Sequence, residues 1–171
     1  MAIELPGMVS FLLSMTTLAL IYSLLALGLN IHYGYTGLLN FGHVAFFAAG
    51  AYTAAIVTIP SPGTVSGGAD YAVGLGVPMP FGVVISLGAS ALVGGILALL
   101  IGLTSVRLGN HYLAIATFAL AGIFEEFIRN EAWLTRGVIG LNNVPKPGRS
   151  ALGADLWGLV YLLFAAALVV G

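Results

Sequence analysis

Long apolar stretches alternate with short polar ones along the chain, a pattern typical of a protein that crosses a membrane several times. No charge occurs between Glu4 and Asp70, so this interval has room for two spanning segments and a tight turn. Because a spanning helix needs about 20 mostly apolar residues, the pattern predicts four spans. They cover residues 8–29, a stretch that begins within 34–52 and ends near 59, residues 81–103 and residues 112–128.

Polar stretches separate these spans. Residues 60–80 are rich in Gly, Pro and Ser, which indicates a loop. A fifth apolar run begins near Leu156 and is still apolar at Gly171. We therefore expect an all-α polytopic membrane protein with about four complete transmembrane helices and a truncated fifth. Residues 1–171 would form one transmembrane domain, the N-terminal portion of a larger fold.

Composition supports the membrane interpretation and excludes several functions. Hydrophobic residues make up 60% of the chain and charged residues 6%, whereas ordinary soluble domains carry about 25% charged residues. The net charge is −1 with no basic stripe, which argues against a nucleic-acid partner. The chain has no cysteine, which excludes disulfides and thiolate metal sites.

The stretch GYTGLLNFGHVAFFAAGAY, residues 34–52, combines apolar character with Asn40, His43 and four glycines. In a helix from Asn40 onward, one face would carry small residues at the spacing that lets another helix approach closely. These packing residues are Gly42, Ala45, Ala49 and Thr53. The glycines before Asn40 predict either a turn or an unwound segment inside the membrane, as in the broken helices of transporters.

The face next to the packing residues carries Asn40, His43, Phe47 and Gly50. Its polar side chains could form hydrogen bonds between helices, or they could line a solute path. A metal site at His43 is disfavoured because no second histidine or carboxylate follows at helical spacing. We take Asn40, His43, Phe47, Tyr52 and Glu126 as candidates for lining a path, and we expect no catalytic residue and no metal ligand.

A second polar cluster, Glu125, Glu126 and Arg129, lies at the end of the fourth predicted span. Either carboxylate can pair with Arg129 on a helix, and the spacing from Arg107 places this cluster near a membrane interface. The sequence TRGVIGLNNVPKPG, residues 135–148, then predicts ordered turns. Trp133 just before it fits an interfacial anchor.

These residues resemble the inner-membrane permeases of branched-chain amino acid ABC importers, the LivM/LivH type. Residues 34–52, with the preceding LALGLN, are similar to that family's Gly-Tyr-x-Gly…Gly-His-x-x-Phe-Phe…Gly-Ala-Tyr signature. RLGNHYLAIATFAL, Glu126 with Arg129, and residues 135–141 resemble three later family segments in the same order. Two departures occur in the last segment: Arg136 stands where the family usually has Gly, and Ile139 where it often has Asn.

The resemblance implies a permease domain in the cell inner membrane that moves branched-chain amino acids by alternating access. It implies separate ATPase subunits that hold ATP and Mg²⁺, a homologous second permease subunit, an extracytoplasmic solute-binding protein and surrounding lipid. No cofactor is expected on this chain, because its lysine, Lys146, lies between two prolines and not in a phosphate-binding loop. The family's segment that docks on the ATPase would follow the fifth span.

Three alternatives stay open at this point. A urea or short-amide permease of the same family fits the four path candidates without fixed charge, Asn40, His43, Phe47 and Tyr52. A stand-alone channel or secondary carrier fits the membrane pattern. A membrane enzyme is disfavoured because His32, His43 and His111 are scattered along the sequence.

The orientation in the membrane has two conflicting indications. The family order places the turn at Arg107 in the cytoplasm and the Thr135 loop outside, whereas the Lys/Arg count places the Thr135 loop in the cytoplasm.

Overall fold

The computed structural model describes residues 7–60, 73–78, 81–105, 108–142 and 144–146, with residues 158–160, 162–163, 166–167 and 169. Within these residues every regular element is a helix, which confirms the all-α prediction. In chain order the elements are α1 (Gly7–Thr36), α2 (His43–Thr58), α3 (Phe81–Ser105), α4 (Asn110–Asn130), α5 (Ala132–Thr135) and a 3-10 turn (Gly137–Ile139).

Three of the described helices, α1, α3 and α4, are long and apolar enough to cross a membrane. The predictions for the third and fourth spans are confirmed to within two residues at each end. The second predicted span is α2, which has 16 residues. At 1.5 Å per residue α2 is about 24 Å long, shorter than the roughly 30 Å of a hydrocarbon core. This helix therefore does not cross the core by itself.

The shortness of α2 follows from a break before it. α1 continues to Thr36, so Gly28 and Gly34 lie inside a helix, and the prediction of a turn or unwinding at those two glycines is wrong. The break covers residues 37–42 instead. Gly37 has φ +66°, a left-handed conformation that ends a helix and that glycine adopts without a steric penalty.

The chain divides into two compact units. Residues 1–36 and 146–171 form one, which contains α1, and residues 37–145 form the other, which contains the remaining elements. The described residues from 158 onward are helical, and the rest of the fifth predicted span lies outside the described residues. Arg107 and most of the predicted 60–80 loop also lie outside them.

In the second unit, α2 packs mainly against α3. The Ser90 hydroxyl of α3 donates a hydrogen bond of 2.9 Å to the Gly50 carbonyl of α2. Residues 73–78 cover the C-terminal end of α2, whose last carbonyls have no partner within the helix. Three backbone N–H groups satisfy them: Leu75 donates to Ile56, Gly76 to Ile59 and Val77 to Val57. Ile59 is fully buried beneath this segment.

Candidate functional site

One side-chain hydrogen bond joins the break before α2 to α4, and a second lies within the break. The backbone N–H of Phe41 donates to the Thr117 hydroxyl at 3.1 Å, and the N–H of Gly42 donates to Asn40 Oδ1 at 2.9 Å. Thr117 is 2% exposed, and its hydroxyl also donates to the Ala114 carbonyl. These bonds satisfy backbone groups that the helices leave unpaired, as apolar surroundings require.

The position of Thr117 shows how deep the break lies along α4. Thr117 is about two turns from the start of this 21-residue helix, or roughly 10 Å along a length of about 31 Å. If α4 crosses the membrane, the N-terminal end of α2 therefore begins inside the hydrocarbon region. The second helix itself, α2, is continuous over His43–Thr58, so the predicted break is found before this helix, at residues 37–42, and not within it.

A groove of about 720 Å³ runs between α2 and α4. From α2 and the break it is lined by Phe41, Val44, Ala45, Ala48 and Tyr52; from α4 by Phe118, Ala121, Gly122, Phe124, Glu125, Ile128 and Arg129; and from the 3-10 turn by Gly137 and Val138. Ligand sites typically have volumes of about 300–1,000 Å³ and mostly apolar walls with a few polar groups. The groove has both properties.

The two ends of the groove differ in chemistry. At one end the rings of Phe41 and Phe118 meet edge to face, with centroids 6.5 Å apart. Toward the other end lie Tyr52 and Arg129, and a second, smaller pocket places Tyr52 beside Gly140 and Leu141 after the 3-10 turn. Residues 118–129 of α4 rise about 16 Å, so the groove runs along more than half of that helix.

The charged end of the groove contains an ion pair. Arg129 Nη2 lies 2.7 Å from Glu125 Oε1, and the two side chains are 57% and 64% exposed. Of the two pairings that the sequence allows for Arg129, the structure has the one with Glu125. Glu126 instead accepts a hydrogen bond of 2.9 Å from Asn130 Nδ2 and is not among the groove residues.

The described residues that follow α4 change direction sharply, in agreement with the predicted turns, and residues 143, 147 and 148 of that prediction lie outside the described residues. The buried Thr135 hydroxyl donates to the carbonyls of Ile128 and Glu131 and accepts the N–H of Gly137. Gly137 has φ +59°, and a Cβ there would lie 2.9 Å from the Arg129 carbonyl oxygen. The chain therefore turns back against the end of α4, which places Val138 at the groove.

Arg136 also adopts a left-handed conformation, with φ 64°. A non-glycine residue costs about 1–2 kcal/mol there. Glycine adopts this conformation without that cost. Arg136 Nε is buried without a hydrogen-bond acceptor among the described residues.

The structure separates the predicted path residues. Tyr52 lines the groove, whereas Asn40, His43 and Phe47 do not; the Asn40 side chain is occupied at the break. The four predicted packing residues lie on or next to buried surfaces: Gly42, Ala45 and Ala49 are buried, and Thr53 is half-buried with its hydroxyl bonded to the Ala49 carbonyl. No three metal-ligating side chains cluster in the described part of the chain.

The sequence interpretation missed the face of α4 that lines the groove. Phe118, Ala121, Gly122, Glu125 and Arg129 recur at intervals of three and four residues, the spacing of one helical face. That spacing was readable from the sequence. The contact of this face with α2 was not, because it depends on where the break turns the chain.

The sequence profile of the family described as branched-chain amino acid transport system, permease component, matches residues 11–171. The chain is 32% identical over 148 residues to the high-affinity branched-chain amino acid transport system permease protein LivM of Escherichia coli strain K12. It is also 32% identical over 147 residues to the LivM protein of Salmonella typhimurium strain LT2. These alignments cover 86% and 85% of the chain.

The chain spans about a third of the length of these relatives, 31% and 30% respectively. No solved structure matches it. The family match over nearly the whole chain confirms the resemblance seen in residues 34–52 and the later segments. Three of its described helices are long and apolar enough to cross a membrane, and the chain belongs to the family of permease components of branched-chain amino acid transport systems.

Proposed function

We propose that this chain forms part of the path by which an ABC importer of the inner membrane moves branched-chain amino acids. The observation that carries the proposal is the groove between α2 and α4, in a chain whose relatives are named as branched-chain amino acid permeases. Its aromatic and aliphatic walls suit an aliphatic side chain. If α4 crosses the membrane, the break that shapes one end of the groove lies at membrane depth, as in transporters with discontinuous helices.

In this proposal the energy comes from other chains. Separate ATPase subunits bind ATP and Mg²⁺, and a homologous permease subunit completes the path. A solute-binding protein delivers the amino acid at the extracytoplasmic side, which we assign to the end of the groove near Thr135 and the 3-10 turn. Tyr52 and Glu125 then line the path, with Glu125 in place of the sequence candidate Glu126.

ATP-dependent uptake tests the proposal. The complex of this permease with its ATPase subunits, second permease and binding protein is reconstituted into liposomes and supplied with labelled leucine and labelled urea. We expect uptake of leucine that requires both ATP and the binding protein. Uptake of urea alone would assign the chain to the short-amide branch of the family. Uptake that persists without ATP would support a channel or secondary carrier.

A further inference from the structure

The Glu125–Arg129 pair gives the groove two opposite charges at one end of a long apolar surface. Among the groove residues only these two are ionisable apart from Tyr52, and both are more than half exposed. An amino acid with a branched aliphatic side chain has the complementary pattern, with an ammonium and a carboxylate at one end and hydrocarbon at the other. We propose that Glu125 and Arg129 bind the two charges of the amino acid zwitterion while its side chain lies against the apolar part of the groove.

The ion pair leaves unused hydrogen-bonding capacity for such a ligand. The contact at 2.7 Å joins one carboxylate oxygen of Glu125 to one terminal nitrogen of Arg129. Glu125 retains its second oxygen as an acceptor, and the guanidinium has further N–H donors in its planar fork. The ligand ammonium can therefore bind Glu125 and the ligand carboxylate can bind Arg129 without first separating the pair.

The position of the pair along α4 fits this orientation. Glu125 lies about two turns, or roughly 10 Å, from Phe118 along the helix. The small residues Ala48 and Ala121 line the groove between them and leave room for hydrocarbon. A neutral amide such as urea has no separated charges for Glu125 and Arg129 and no aliphatic group for the apolar surface.

The inference rests on the proposed function, so one preparation tests both. Binding is measured by saturation-transfer NMR on the transporter complex in nanodiscs without the binding protein, because that protein has its own selectivity. The three ligands are leucine, leucinamide, which lacks the carboxylate, and 4-methylpentanoate, which lacks the ammonium. ATP-dependent leucine uptake by the same complex, with the binding protein restored, is measured in parallel.

Each charge variant should lose affinity only for ligands that carry the matching charge. We expect Glu125→Gln to weaken leucine binding by about 10- to 100-fold, the usual range for one charged hydrogen bond. It should not weaken 4-methylpentanoate, because that anion loses only the repulsion of Glu125. Arg129→Gln should weaken leucine similarly and should not weaken leucinamide, because that cation loses only the repulsion of Arg129. The matched control is Glu126→Gln, which changes the neighbouring carboxylate outside the groove and should bind all three ligands as wild type does.

The ratio of the dissociation constants for two ligands does not depend on how much of a variant folds. A loss of stability therefore cannot produce the expected result. Equal weakening of all three ligands by both charge variants would show a structural ion pair and overturn the inference. Wild-type affinity for leucine in both charge variants would also overturn the inference. The same holds for a complex that takes up leucine but does not bind it, which is the result expected if lipid or another helix fills the groove. A complex that neither binds nor takes up leucine would overturn the proposed function as well.

Discussion

Replacement of Gly42 by alanine tests whether the break before α2 is fastened to α4 as the structure shows. A Cβ at residue 42 would lie 3.1 Å from Asn40 Oδ1, 3.2 Å from the Thr117 carbonyl oxygen and 3.3 Å from Thr117 Cβ. All three contacts are closer than ordinary van der Waals distances. Two of them are to Thr117, which is buried in α4 and has little room to move.

The expected magnitude follows from these contacts. Gly42 has φ −71°, which any residue adopts, so backbone strain adds nothing. Overpacking costs about 1–3 kcal/mol, and weakening the bond from Phe41 N–H to Thr117 adds about 1 kcal/mol. Alanine also lowers the conformational entropy of the unfolded chain, which stabilises the folded state by about 0.4–1 kcal/mol. We therefore expect Gly42→Ala to lower the free energy of unfolding by about 1–4 kcal/mol.

Gly50→Ala is the matched control, because it adds the same methyl group inside α2, eight residues after Gly42. Its Cβ would have one neighbour, Ser90 Cβ, at an ordinary 3.9 Å, and alanine favours a helix interior by about 0.5–1 kcal/mol. The two variants should therefore change stability in opposite directions. The assay is equilibrium unfolding of the purified protein in mixed SDS micelles. A Gly42→Ala variant as stable as wild type, or stabilised like Gly50→Ala, would refute the close packing of the break on Thr117.

Three further substitutions have predicted effects on stability in the same unfolding assay. Arg136→Gly should raise the free energy of unfolding by about 1 kcal/mol, because it removes the cost of a left-handed arginine; a decrease would show that the side chain contributes more than the conformation costs. Gly137→Ala should lower it by about 2–4 kcal/mol, because strain at φ +59° and the clash with the Arg129 carbonyl act together; a change below 1 kcal/mol would contradict that close approach. Thr117→Val should lower it by about 1–3 kcal/mol, since the N–H of Phe41 then lacks its acceptor; an unchanged value would show that this bond is not formed.

The membrane fold could be predicted from the sequence because hydrocarbon imposes a strong and simple constraint on chain composition. The long apolar runs predicted α3 and α4 to within two residues at each end. The break was harder to place, because three glycines occur between 28 and 37 and only the left-handed Gly37 ends a helix. Gly28 and Gly34 remain helical, and glycine is common within membrane helices.

The candidate site was less predictable than the fold. Asn40 was predicted to line the path because it is a polar residue in an apolar stretch, but its side-chain oxygen accepts a hydrogen bond from the backbone N–H of Gly42. The choice between Glu125 and Glu126 depends on the rotation of α4 about its axis, which one sequence does not fix. Groove residues from the 3-10 turn, such as Val138, come from a segment whose path depends on left-handed residues at 136 and 137.

Cysteine labelling is the measurement that most directly tests whether the groove is a water-accessible path for amino acids. The chain contains no cysteine, so each variant has one reactive site. Val44 lines the groove and Phe47 does not, although their side chains are similarly exposed, at 53% and 45%. In the reconstituted transporter, a membrane-impermeant thiol reagent should modify Val44→Cys, and saturating leucine should slow this reaction while Phe47→Cys stays unreactive. Modification of Phe47→Cys alone, or no effect of leucine on Val44→Cys, would contradict the assignment of the α2–α4 groove as the path.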